Sequence, residues 1–174
     1  MKNSLFIAAL IMALLVFALE GCGNSNMVIG MENLPLHTIV EDLYEHVDVP
    51  PYEIIPLDEE NFEYYSFIPY DESLTAVAAD ALVRIAPHST VVIRADGGNG
   101  PELADRIIGN ADPNKWVSVG AEIVYVAYTD HYVILVMSYQ DTADDIIENF
   151  RNMTIELDGM EMALLTAHNP RYDR

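Results

Sequence analysis

The most informative stretch of the chain reads Glu122-Ile123-Val124-Tyr125-Val126-Ala127-Tyr128, then Thr129-Asp130-His131, then Tyr132-Val133-Ile134-Leu135-Val136-Met137-Ser138-Tyr139. Two apolar, β-branched runs with a three-residue polar break between them are typical of a β-hairpin. The stretches 123–127 and 133–137 contain no charged residue, which is typical of strands in the centre of a sheet. The sequence therefore predicts an antiparallel hairpin of two central strands.

The segments on either side of the hairpin predict one more strand and two helices. Residues 90–95 form a β-branched run that ends at a Gly-rich turn, and Asn99 after it has the spacing to Glu102 of a helix-capping pair. Pro113 ends that helix. A last helix is capped by Asp141 or Thr142, and beyond it Asp158-Gly159 predicts a small hairpin in the tail.

The front half of the chain is less regular. Thr38, with Glu41 three residues later, predicts the start of an amphipathic helix that runs to about His46, before Pro50-Pro51. Residues 62–68 predict a short strand within a region that otherwise reads as loop. Residues 74–86 are rich in Ala and Val and fit a helix or a strand equally well.

This order of elements predicts an α+β fold. We expect a two-layer sandwich with a mainly antiparallel sheet of about four strands and helices packed on one face. The expected domain covers residues 36–152, and residues 153–174 form a C-terminal tail that holds the small hairpin.

The N-terminus predicts export and lipidation. Residues 1–21 combine Lys2 with an unbroken apolar run over 5–19, which is the layout of a secretory signal and is short for a transmembrane helix. Leu19-Glu20-Gly21-Cys22 resembles the bacterial lipobox, in which the cysteine receives a diacylglyceryl group, although Glu20 stands where a small or apolar residue is usual. Residues 22–35 would then be the lipidated cysteine and a tether. The alternative is an uncleaved N-terminal anchor, and both place the domain outside the cytoplasmic membrane.

Charge and cysteine content exclude several classes of function. The chain has 8 Lys+Arg against 28 Asp+Glu, a net charge of −20, so it lacks the clustered cations that nucleic-acid binding requires. Cys22 is the single cysteine, so an acylated chain has no disulfide, cysteine nucleophile or cysteine-ligated metal. There is no Lys or Arg over residues 3–83, which predicts an acidic face at 41–72 for a basic partner.

Three stretches resemble one known group of proteins. They are residues 86–94, residues 110–119 with the element Asp112-Pro113-Asn114-Lys115-Trp116, and residues 133–138. Together they resemble the uncharacterised small lipoproteins of clostridia and related Gram-positive bacteria that carry a domain of unknown function, with similarity over about 36–152. Members usually have Arg in place of Asn114 and often Cys in place of Ser118. The resemblance implies a lipid anchor in a Gram-positive envelope, and it implies no catalytic residue.

Four groups of residues are candidates for contacts with a ligand or partner. Trp116 is expected to be a buried anchor, or else a platform for ligand stacking. Glu41, Asp42 and Glu45 share one helix face with His46, which predicts a solvated acidic face or a cation site. Tyr64 and Tyr65 either cover the sheet or form a contact surface. Weak metal candidates are Asp96, Asn99 and Glu102, on a loop that lacks the EF-hand spacing.

These observations predict a lipid-anchored extracytoplasmic lipoprotein that acts as a non-catalytic binding or accessory module of the cell envelope. His88-Ser89 lacks the sequence context of a catalytic serine, and we expect no cofactor and no enzyme activity. The expected partners are the membrane, through diacylglyceryl-Cys22, and an envelope protein. The alternatives are a calcium- or small-solute-binding lipoprotein and, less favoured, a small envelope hydrolase.

Overall fold

The computed structural model describes residues 30–83, 85–116 and 118–172, and it confirms the α+β class. Six strands form one antiparallel sheet: β1 Tyr52–Pro56, β2 Leu74–Ala81, β3 Ser89–Ala95, β4 Ile123–Tyr128, β5 Tyr132–Ser138 and β6 Ala163–His168. Four α-helices pack against it: α1 Leu36–Leu43, α2 Phe62–Ser66, α3 Gly100–Asn110 and α4 Gln140–Met153. None of the helices in the described part of the chain is long and apolar enough to cross a bilayer.

The predicted hairpin is confirmed and lies inside the sheet. The strand order is β1-β2-β3-β5-β4-β6, so β5 lies between β3 and β4. Tyr128 pairs with Val133 where the hairpin turns, and Val91 pairs with Leu135 across the other side of β5. All seven residues of β5 are buried, as expected for a central strand covered on both faces.

Helices cover both faces of the sheet, so the molecule has three layers where two were expected. On one face, Ile134 and Val136 of β5 join a core with α1 and α4. On the other face, Val133 and Leu135 join a second core with α2 and α3. Successive residues of a strand point to opposite faces, and β5 has apolar side chains on both faces. One layer of helices would therefore leave half of this strand in water.

Two segments of the front half differ from the sequence prediction. Residues 62–68 were predicted as a strand, but Phe62–Ser66 is helical and Phe67 then adopts a left-handed φ of 63°. A local turn causes this, because Asn61 Oδ1 accepts the Asp58 N–H at 2.9 Å and Ser66 Oγ donates to the Phe62 carbonyl at 2.8 Å. The ambiguous segment 74–86 contains strand β2, and β1 lies where a loop was predicted.

The C-terminal segment is part of the sheet, and the predicted small hairpin around Asp158-Gly159 is wrong. Thr154–Asp158 continues α4 as a π-helical turn, and Gly159 ends it with a φ of 63°. Strand β6 then pairs with β4 as an edge strand. Asp158 Oδ1 accepts the Met31 N–H at 3.0 Å, so this turn holds the beginning of the described chain.

The predicted helices exist, but their caps differ. Helix α1 begins at Leu36 after Pro35, and neither Thr38 nor any other side chain caps it. Asn99 is the N-cap residue of α3, as predicted, without a side-chain capping bond. The N-cap of α4 is Tyr139, not Asp141 or Thr142. Glu122 accepts the Gln140 N–H at 3.1 Å and satisfies the start of this helix from β4.

Two glycines in α3 give a matched test of packing. A Cβ built on Gly100 would lie 1.9 Å from the Thr129 carbonyl oxygen, whereas a Cβ on Gly109 meets nothing within 4 Å. We expect Gly100→Ala to lower the free energy of unfolding by about 3 kcal/mol, because the hairpin turn must move. Gly109→Ala should raise it by about 0.5 kcal/mol through helix propensity. Urea unfolding of both variants measures this, and equal effects would contradict the close approach of α3 to the turn.

Candidate functional site

The predicted lipidation site, Cys22, lies outside the described residues, and its acylation stays a prediction. The other candidate residues are described, and they fall in different parts of the fold. Tyr64, Tyr65 and Trp116 come together on one face of the sheet. Glu41 and Asp42 lie on the helix that covers the opposite face, and Glu45 lies just beyond the end of that helix.

Three of the predicted contact residues surround the ammonium group of Lys115. Its Nζ lies 5.0 Å from the ring centroid of Trp116, 5.1 Å from that of Tyr65 and 5.4 Å from that of Tyr64. Ammonium groups at such distances are attracted to the electron-rich face of an aromatic ring. Trp116, Tyr64 and Tyr65 therefore contact a cation that belongs to the protein itself.

The Asp112-Pro113 turn places Lys115 among the rings of Tyr64, Tyr65 and Trp116, which together form an aromatic cage. Asp112 Oδ1 accepts the Asn114 N–H at 2.9 Å, and the Asp112 carbonyl accepts the Lys115 N–H at 3.1 Å. The Pro113 carbonyl also accepts the Ala121 N–H at 2.8 Å, which ties the turn to the chain just before β4. The Asp-Pro-x-Lys-Trp element is thus a turn that delivers one lysine to a built position.

Lys115 is also paired with two polar groups of the sheet. Its Nζ lies 3.3 Å from Asp80 Oδ1 and donates to Ser89 Oγ at 3.0 Å, and its side chain is only 5% exposed. Burial lowers the pKa of Lys115, while the Asp80 carboxylate opposes that shift. Ser89 beside a lysine has the composition of a serine–lysine nucleophile pair. However, Ser89 is 1% exposed, so the geometry gives a substrate no route to its hydroxyl.

His88 forms a second polar group, on the opposite face of the same end of the sheet. Its Nε2 lies 2.7 Å from the Tyr44 hydroxyl and its Nδ1 lies 3.1 Å from Ser138 Oγ. Burial lowers the pKa of His88 to about 4, with a smaller opposing effect from Asp80. Burial also raises the pKa of Tyr44. At neutral pH the imidazole is therefore uncharged and joins Tyr44, which follows α1, to β5.

The acidic candidates Glu41 and Asp42 are exposed on α1. This helix ends at Leu43, before the predicted end near His46, so Glu45 is exposed in the turn that follows it. Asp42 and Glu45 line a groove of about 380 Å³ between α1 and α4, together with Glu156 and Asn149. Asn149 Nδ2 donates to the carbonyls of Leu43 and Glu45, both at 3.0 Å, and this bond caps the end of α1. Partial burial and then the Glu45 and Glu41 carboxylates raise the pKa of Asp42. The groove therefore concentrates negative charge.

The weak metal candidates Asp96, Asn99 and Glu102 lie on the β3–α3 loop and the first turn of α3. Asp96 and Glu102 are exposed, and Asn99 Oδ1 is buried without a hydrogen-bond partner. Within the described ranges, no group of three or more His, Cys, Asp or Glu side chains is arranged to hold a metal ion.

A larger cleft, which the sequence did not predict, opens at the far end of β3. Its volume is about 670 Å³, and it is lined by Gly30, Glu32, Arg94, Asp96, His131, Tyr132, Leu157, Asp158 and Met160. Arg94 lies beneath it, where its Nε donates to the Tyr132 hydroxyl at 3.1 Å and its Nη2 donates to the Leu34 carbonyl. The one sequence signal for this cleft was Arg94, the single charged residue of strand β3.

Removal of the Lys115 charge tests whether the cage is structural. Lys115→Met leaves the Asp80 carboxylate partly buried and unpaired, so we expect the free energy of unfolding to fall by about 3 kcal/mol. Adding Asp80→Ala should restore much of this loss. Urea unfolding measures the coupling, with Arg106→Met on the exposed face of α3 as the control. Strictly additive losses at positions 80 and 115 would show that the pair is not coupled.

The buried imidazole predicts acid sensitivity. The folded-state pKa of His88, about 4, lies below its ordinary value of 6.5. The contribution of His88 is therefore complete above about pH 6.5 and is lost as the pH falls toward 4, a change of about 3 kcal/mol. His88→Gln should flatten the pH dependence of unfolding over this range, and His37→Gln, which removes an exposed imidazole on α1, is the control. An unaltered slope in His88→Gln would refute the buried neutral imidazole.

Comparisons with known proteins identify no relative of this chain. No protein-family model, no curated protein and no solved structure matches this chain. The resemblance to clostridial lipoproteins accordingly stays a prediction that rests on the three stretches in which it was noted.

Proposed function

We propose that this protein is a lipid-anchored, extracytoplasmic lipoprotein that acts as a non-catalytic binding module of a Gram-positive cell envelope. Diacylglyceryl-Cys22 attaches it to the outer face of the cell membrane, and a protein of the envelope is its partner. The observation that carries the proposal is the acidic groove between α1 and α4, where Asp42, Glu45 and Glu156 line one concave surface.

The charge of this groove favours a basic partner segment. The pKa of Asp42 is raised in part by Glu45 and Glu41, so these carboxylates repel one another in the free protein. A Lys or Arg side chain in the groove would relieve that repulsion. Complementary charge of this kind mainly speeds association and selects the partner, which suits a module held at a surface by its own anchor.

The two polar clusters that contain residue types found in catalytic sites have contacts that favour a structural role for them. Ser89, Lys115 and Asp80 are held together under the rings of Tyr64, Tyr65 and Trp116, and His88 is bonded to Tyr44 and Ser138. Each of these groups already has a partner inside the protein. This arrangement supports binding rather than hydrolysis as the function.

A solute-binding lipoprotein is the second candidate function, and the cleft beside Gly30 favours it. A concave site of about 670 Å³ is of the size that takes a small molecule. The calcium version of this candidate has less support, because no group of three or more His, Cys, Asp or Glu side chains among the described residues is arranged to hold a metal ion.

Cross-linking in intact cells tests the leading proposal. A tagged copy should capture one discrete envelope protein, and Asp42→Lys with Glu45→Lys should reduce that capture at least fivefold because the attraction becomes repulsion. The control is Asp105→Lys with Glu161→Lys, which makes the same charge change at two exposed acids outside the groove. Equal loss in both double variants, or none in either, would contradict the groove as the contact surface.

The anchor has a separate test. In intact-mass spectrometry the natural chain should begin at Cys22 and carry the added mass of a diacylglyceryl group, and Cys22→Ala should abolish both. A natural chain that retains residues 1–21 and carries no added mass would indicate an uncleaved N-terminal anchor instead.

A further inference from the structure

The cationic side chain that lines the cleft beside Gly30 already makes hydrogen bonds within the protein. Arg94 is the cation of the cleft, and its guanidinium donates from Nε to the Tyr132 hydroxyl and from Nη2 to the Leu34 carbonyl. It also lies over the Tyr132 ring, with Cζ 5.6 Å from the ring centroid. Arg94 is therefore held in place by the protein through two of its five N–H donors and the Tyr132 ring.

Besides Arg94, the cleft is lined by three carboxylates and an apolar surface. Glu32, Asp96 and Asp158 line the cleft together with Tyr132, Leu157 and Met160. Asp158 keeps one oxygen on the Met31 N–H and Glu32 keeps one on Asn33, which leaves each a second oxygen. Three carboxylates against one guanidinium give the cleft a negative balance at neutral pH.

The spacing of these carboxylates distinguishes between two kinds of cation. A metal ion needs several oxygen ligands that converge within about 2.6 Å of one point, and no such group of acidic side chains occurs in the part of the chain that the structure describes. A cation that carries its charge at the end of an apolar stem needs the opposite: separate carboxylates and an apolar wall between them. Leu157 and Met160 supply that wall.

We infer that the cleft is a binding site for an alkylammonium group, a primary or secondary amine on an aliphatic stem. The stem packs against Leu157 and Met160, and the ammonium pairs with Asp96 or its neighbours at the rim. The same chemistry is found in free aliphatic amines and in the lysine side chain of a peptide. This inference rests on the second candidate function, solute binding.

Titration calorimetry on the full chain in detergent tests it with three probes that share a five-carbon stem and carry amino groups, a carboxylate or a hydroxyl. We expect 1,5-diaminopentane to bind, with an affinity that falls as sodium chloride is added, because exposed charge pairs are screened. Pentanoate and pentan-1-ol should bind at least tenfold more weakly. A lysine-containing tripeptide is the fourth probe, and its affinity relative to the free amine identifies the source of the alkylammonium group.

Isosteric variants locate the binding. Asp96→Asn and Glu32→Gln should each weaken diaminopentane binding about three- to fivefold, the size expected for one partly exposed ion pair. Asp105→Asn, an exposed acid on α3 outside the cleft, should leave it unchanged. Equal weakening by Asp105→Asn would show non-specific attraction to the acidic surface and overturn the inference.

The other outcomes distinguish the alkylammonium inference from the solute-binding function on which it rests. Preferred binding of pentanoate, or equal binding of pentan-1-ol and the amine, would overturn the alkylammonium assignment and leave solute binding in place. Failure of all four probes to bind would overturn the inference and remove the support for solute binding in this cleft. The proposed protein partner at the groove between α1 and α4 depends on neither result.

Discussion

The burial of β5 on both faces is the constraint on which the rest of this structure depends. Its seven residues are all buried, and β3 and β4 occupy its two edges. An apolar strand of this kind can be stable only if both faces of the sheet are covered. Helices α1 and α4 cover one face, and α2 and α3 cover the other. The short helix α2 and the amphipathic α3 are thus required because β4 and β5 also carry apolar side chains on the second face of the sheet.

The same geometry explains why two polar clusters lie back to back at one end of the sheet. His88 and Ser89 are consecutive, so their side chains point to opposite faces. His88 reaches Tyr44 and Ser138 on the α1 side, while Ser89 receives a hydrogen bond from Lys115 on the α2 side. A buried polar group is tolerated when its hydrogen bonds are made inside the protein. Each cluster therefore joins a peripheral segment to the sheet, the Lys115 turn on one face and the end of α1 on the other.

The sites that remain open to solvent lie on the α1 and α4 side of the sheet. The groove between these helices carries Asp42 and Glu45, and the cleft at the far end of β3 begins at Gly30. Both are acidic, and both border Leu157 in the turn that follows α4. In the proposed lipoprotein, Gly30 belongs to the segment 22–35 that was expected to be the tether, so the cleft lies at the anchored end of the described chain. A binding module held in this way would present two acidic surfaces from one face.

Local sequence determined the elements whose signals are local: the hairpin 122–139, the strand at 90–95, and helices near residues 38, 100 and 142. Alternation of side chains and turn residues act over a few positions, so they can be interpreted without the fold. Pairing across the chain decided the rest. Residues 74–81 became a strand because β1 and β3 flank them, and Ala163–His168 became β6 because β4 had a free edge. The sequence likewise identified Trp116, Tyr64 and Tyr65 as special, but only tertiary structure placed Lys115 among their rings and gathered the cleft from four separate segments, because such contacts join residues that are distant along the chain.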